Sequence, residues 1–90
     1  MNVMIEKYRD ADAIVSIEGK EYALYKNGPL KKYPYMVDIA TGGIPNQEQM
    51  PLLRSYLLLN GIKIEPKWNT HWCVRQAIKI AQGTDRMTPV

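Results

Sequence analysis

Ninety residues, 46% hydrophobic and 23% charged, support a single globular core, since a chain of this size buries roughly 60–65% of its unfolded surface and cannot divide into two. No apolar run approaches the roughly 20 residues of a membrane span, the first eight residues lack a signal-peptide pattern, and the lone Cys73 excludes an internal disulfide or a multi-cysteine metal site, so a cytoplasmic location is expected. The whole net charge of +3 falls in residues 46–90, which favours acidic partners without the Lys/Arg density of strong nucleic-acid binders.

At the N-terminus, Val3, Met4, Ile5 and Tyr8 fit either an edge strand or one helical turn. Residues 13–40 then read as β structure, because β-branched and aromatic side chains recur with period two between turn signals. The first strand is expected over 13–18 around Ile14, Val15 and Ile17, and the second over 21–26 with Tyr22, Ala23, Leu24 and Tyr25. Between them Gly19 is free to take positive φ in a hairpin. Asn27-Gly28-Pro29 breaks the chain. A third strand over 33–40 alternates Tyr33, Tyr35, Val37 and Ile39 on one face, and Pro34 suggests that it begins at a sheet edge.

Thr41-Gly42-Gly43 closes the sheet. Asn46 with Gln49 three residues later has the form of a capping box, although Pro51 suggests that regular helix starts only near Met50. Leu52, Leu53, Tyr56, Leu57 and Leu59 or Asn60 follow at helical spacing. Asn60-Gly61 is a stop signal, with Ile62 placed to fold back on Leu57 as in a Schellman motif. Ile62, Lys63, Ile64 and Glu65 alternate like a short strand that Pro66 ends. Asn69 or Thr70 caps a second helix over 70–82, with Trp68 stapling its start near Cys73. On that helix Cys73, Val74, Ala77, Ile78, Ile80 and Ala81 form one apolar face. His71, Arg75, Lys79 and Gln82 form a polar stripe opposite, at i, i+4, i+8 and i+11. Gly83 ends the helix, and residues 84–90 are expected to fray. The expected fold is α+β: one domain over 1–90, with a three-stranded antiparallel sheet, room for a fourth short strand, and two helices packed on it.

The candidate chemistry is sparse. Val37-Asp38-Ile39-Ala40-Thr41-Gly42-Gly43 has the look of a strand leading into a nucleotide-binding loop, but it lacks the third glycine, and Pro45 stands where the cradling helix should begin. An ordinary turn is the simpler reading. His71 and Cys73 sit two apart on one helix and so point about 200° away from each other, which does not make a nucleophile–base pair. Asp10 with Asp12 and Glu18 with Glu21 border turns, where solvated charges are the usual explanation. One histidine and one cysteine leave no metal tetrahedron. No catalytic, cofactor or metal site is therefore expected.

What remains is a binding surface. Trp72 falls at about 100° from His71 on the helical wheel, outside the apolar face, so it either bends under Trp68 and the preceding loop or stays exposed as an interface anchor. Six tyrosines and no phenylalanine suit surfaces that are both apolar and wet. The expected surface joins His71, Trp72, Arg75, Lys79, Gln82 and Arg86 with Tyr33 and Tyr35 at a sheet edge. The expected function is a non-enzymatic protein-binding module acting as an adaptor, inhibitor or regulator. The alternative is a nucleic-acid-binding domain that sets Arg75, Lys79 and Arg86, with Lys63 and Lys67, against phosphates. No membrane partner is expected. Homodimerisation is a further expectation, through a free strand at residues 33–40 or 62–65.

Overall fold

The computed structural model describes residues 8–28 and 32–83. Arg86, the Val3/Met4/Ile5 segment and the tail expected to fray lie outside them. Three strands, β1 (Ala13–Ile17), β2 (Lys20–Tyr25) and β3 (Tyr35–Asp38), precede two helices, α1 (Asn46–Leu59) and α2 (Thr70–Ala81). The sheet is an antiparallel meander in the order β1-β2-β3.

Strand register follows from the turn between β1 and β2. Ile17 pairs with Lys20, so the hairpin loop is Glu18-Gly19, and both residues take positive φ, 53° and 84°. That is the geometry whose twist matches the strands. Pairing then runs from Ile17 opposite Lys20 back to Ala13 opposite Leu24, and on the other side from Tyr22 opposite Asp38 to Tyr25 opposite Tyr35.

The period of two sorts side chains onto two faces. Val15, Ile17, Tyr22, Leu24 and Met36 point to the helices and join Leu53, Leu57, Cys73, Val74 and Ile78 in the main core. Ala23, Val37 and Ile39 point the other way, where Tyr8 closes over them, with Tyr25 and Tyr35 packed alongside. Hydrophobicity on both faces explains why β2 is buried at three successive positions, Tyr22, Ala23 and Leu24.

β3 is shorter than the alternation of residues 33–40 implied. Pro34 has no N–H to give the ladder. At the other end Asp38 turns the chain: its carboxylate accepts from the Ala40 N–H at 2.9 Å, and its carbonyl oxygen accepts from Gly42 at 2.6 Å.

The helices depart from expectation in three places. α1 starts at Asn46 with Pro45 as its cap and no side-chain capping bond, so the Asn46/Gln49 capping box does not form and Pro51 is carried inside the helix. Gln49 is instead buried, and its amide donates to the carbonyl oxygens of Met36 and Ile44, both at 3.3 Å. One buried and one part-buried acceptor outweigh one solvent-exposed cap. Leu59, placed by its spacing on the apolar face, is 85% exposed, and Ala81, on the outer side of α2, is exposed too. The segment 62–65 joins no strand; Ile62 and Ile64 pack against the helical side of the core while Lys63 and Glu65 face solvent.

The end of α1 follows its sequence signal. Ile62 N–H reaches Leu57 C=O at 2.9 Å and Gly61 N–H reaches Leu58 C=O at 3.0 Å, the paired bonds of a Schellman motif, with Gly61 at φ 81°. At the start of α2 the Asn69 side chain accepts from the Trp72 N–H at 3.0 Å, a cap worth about 1 kcal/mol. Trp68 packs, half-buried, on the core that contains Cys73.

Candidate binding surface

α2 presents two faces because its apolar residues repeat at three and four. Cys73, Val74, Ala77, Ile78 and Ile80 are buried, which turns His71, Trp72, Arg75 and Lys79 away from the core. Burial pushes the Cys73 thiol above its usual value, partly offset by the positive charge of Arg54. It therefore sits protonated in the core while His71 points elsewhere.

The tertiary structure divides the polar stripe between two neighbours. His71, at the first turn, meets the loop before β3: its ring lies on Tyr33 with centroids 4.7 Å apart and planes 8° from parallel. The loop is drawn into place by a 2.7 Å bond from Gly28 N–H to the Tyr33 carbonyl. Tyr33, 57% exposed, and His71 wall a groove of about 400 Å³ floored by Pro34, Tyr35 and Gln49. Tyr35 stacks on Tyr25 across the β2–β3 pair, centroids 5.0 Å apart. It is half-buried, and burial together with the nearby Asp10 charge raises its hydroxyl pKa, so it faces the groove as a neutral donor.

Further along the helix, Arg75, Lys79 and Gln82 meet the end of β2. With Lys26, Asn27 and Ile78 they line a second groove of about 440 Å³. Asp12 holds this corner together: its carboxylate accepts from the Lys26 N–H at 2.6 Å, and its carbonyl accepts from the Gln82 side chain at 3.0 Å. Gln82 is thus tied into the structure rather than free for a partner. Lys26 joins the cationic group from the end of β2, a neighbour that the periodicity of one helix does not encode. Trp72 lies outside both grooves, 47% exposed, with the Arg75 guanidinium 5.8 Å from its ring centroid. That distance is within the range of a cation–π contact.

At the far end of the sheet Glu18, Asp38 and Glu48 gather with Lys20 around another concavity of about 420 Å³. Asp38 is 4% exposed, and the Gly-rich phrase that follows it forms the turn described above. Glu18 and Glu21 lie at the hairpin and are exposed, as are Asp10 and Asp12. Among the described residues no three His, Cys, Asp or Glu side chains are grouped so as to hold a metal ion, and no helix is long and apolar enough to cross a membrane.

No family model, curated protein or solved structure matches the chain.

Proposed function

We propose that this chain is a small cytoplasmic binding module, not an enzyme, that docks an acidic segment of another protein across α2 and the loop before β3, as an adaptor, inhibitor or regulator. The reading is carried by one observation: Tyr33 and Trp72 stand exposed on either side of His71 and Arg75, with the Lys26/Arg75/Lys79 groove beside them. Aromatic and Arg anchors in such a cluster are where interface energy concentrates. The Tyr33/His71 groove would take an apolar or planar side chain, and the cationic groove would take carboxylates, each partly desolvated pair being stronger than one on the open surface.

Single-stranded nucleic acid is the second reading, supported by the same three cations lying next to a stackable ring. The charge count weighs against it. Even with Lys32 added, about four phosphate contacts give a salt slope of only about −3 on single strands, well short of strong binders. Capture from host lysate with and without nuclease, compared between the parent and a Tyr33→Ala/Arg75→Ala variant, separates the two. Nuclease-resistant capture lost in the variant supports the protein partner. Capture abolished by nuclease, with direct binding of single-stranded DNA or RNA at low salt, replaces it with the second reading.

A further inference from the structure

The two edges of the sheet are not equivalent. Because Ile17 and Lys20 close a two-residue hairpin, hydrogen-bonded pairs fall at Ile17/Lys20, Val15/Tyr22 and Ala13/Leu24, leaving the N–H and C=O of Ile14 and Ser16 directed away from β2. No described residue bonds to them. On β3 the same alternation, anchored by Ile39 N–H to Glu21 C=O at 3.1 Å, turns Met36 and Asp38 outward. Both of their outward carbonyls are occupied, that of Met36 by Gln49 and that of Asp38 by Gly42. On β3 the outward carbonyls are taken by the protein's own atoms, whereas among the described residues the β1 edge is open.

β1 also lacks the usual protection of an open edge. Ala13–Ile17 carries no charge and no proline, and Ile14 is 37% exposed, whereas isolated edges are normally guarded by Lys, Pro or a bulge. The charge around it is segregated along the strand direction. Glu18, Asp38 and Glu48, with Lys20 among them, lie at the hairpin end. Lys26, Arg75 and Lys79 lie at the other, beside the carboxylates of Asp12, which accepts from the Lys26 N–H, and of Asp10, close to Tyr25. The first end is thus net acidic and the second net basic.

We infer that β1 pairs antiparallel with β1 of a second copy of this chain, making a six-stranded sheet across a two-fold axis. Antiparallel pairing sets the acidic hairpin end of each copy beside the basic end of the other, twice by symmetry. A parallel approach would set like beside like. Since β3 is closed, the assembly stops at two copies rather than growing into a fibre. The pairing does not rest on the partner proposed above, and its test does not involve that partner.

Sedimentation velocity on the full chain at low salt, over about a hundredfold range of concentration, should show a monomer–dimer equilibrium that added salt shifts to monomer. In the dimer the Ile14 and Ser16 amides should gain hydrogen-exchange protection. Ser16→Pro removes an N–H that the internal ladder does not use, and Ile14→Lys places a charge on the open edge; each should give a monomer at concentrations where the parent is dimeric. Far-UV circular dichroism checks that each variant is folded, and if the proline variant is not, Ile14→Lys alone decides. A parent that is monomeric throughout the range overturns the inference, as does a folded Ile14→Lys variant that dimerises like the parent.

Discussion

The imidazole of His71 lies flat on the ring of Tyr33, 4.7 Å between centroids, and this contact joins the first turn of α2 to a loop that neighbours it only in the folded state. Tyr33 is 57% exposed, so its ring contributes little to the core. Tyr33→Ala should cost no more than about 0.5–1.5 kcal/mol, the worth of an aromatic pair, while weakening partner capture clearly. A thermal melt and a binding titration on the same sample measure both. A large stability loss with unchanged capture would assign Tyr33 to the fold instead.

Gly28 sets where that ring stands. A Cβ at this position would lie 2.9 Å from the Tyr33 carbonyl oxygen and 3.4 Å from the Tyr35 ring, in the place where Gly28 N–H now bonds Tyr33 at 2.7 Å. Gly28→Ala should therefore cost about 1–3 kcal/mol, the usual range for overpacking. In NMR spectra the ring-current shifts on His71 should move with it. Unchanged His71 resonances would show that the loop does not depend on this close approach.

Gln49 bonds two carbonyls that have no other partner among the described residues. Gln49→Leu should lower stability by about 1–3 kcal/mol through the unpaired buried acceptors, seen as a lower denaturant midpoint at unchanged slope. It should also open the β3 edge, so that sedimentation shows species beyond the dimer. Destabilisation without larger species would mean that something besides Gln49 protects β3.

Tyr25 predicts the alkaline limit of the fold. Burial, then the charge of Asp10, raise its pKa from 10.0 to about 12, and Tyr22 and Tyr35 are raised in the same direction. A phenol whose folded pKa exceeds its unfolded one stays protonated in the native state while the unfolded chain loses its proton. Its contribution to stability is thus complete below pH 10.0 and disappears as pH rises towards about 12. Denaturant unfolding across this window should show a declining midpoint, and Tyr25→Phe should make the decline shallower. An identical decline in that variant would place the effect elsewhere.

Cys73 is fully buried and its thiol pKa is raised by desolvation, so a thiol reagent should modify it only as fast as the protein opens. Cys73→Ala should cost about 1 kcal/mol as a small cavity. Cys73→Ser should cost more, about 1–3 kcal/mol, because its hydroxyl would need a partner the core does not offer. Rapid labelling of the native protein would contradict the burial.

Much of the local structure is legible in residue order. A hairpin at Gly19, the Asn60-Gly61 stop and the separation of Cys73 from His71 depend on backbone conformations and periodicities that neighbouring residues dictate, and the antiparallel meander follows from them. That the hairpin loop is Glu18-Gly19 alone, with Lys20 already in β2, and that Asn69 rather than Thr70 is the cap are seen only in the fold. The α1 start departs from its sequence signal because Gln49, three residues after a capping type, carries the signature of a box, while the carbonyls that claim it belong to Met36 and Ile44. The alternation at Ile62 and Ile64 reported burial correctly, but burial does not distinguish a strand from a strap.

Residue order alone dictated the α+β order of elements and the core face of each helix apart from Leu59 and Ala81, while the exposure of Trp72, which its place on the helical wheel left open, came from the fold. Only the tertiary structure decided how the polar stripe is used. His71 is drawn to Tyr33, Gln82 is spent on Asp12, and Lys26 joins Arg75 and Lys79 from another element. It also decided which sheet edge is open, since Gln49 closes β3 and nothing described closes β1. The division has a physical reason: periodicity and turn chemistry act over one to four residues, whereas a hydrogen bond spanning 70 positions, as between Asp12 and Gln82, exists only once packing has brought its two ends together.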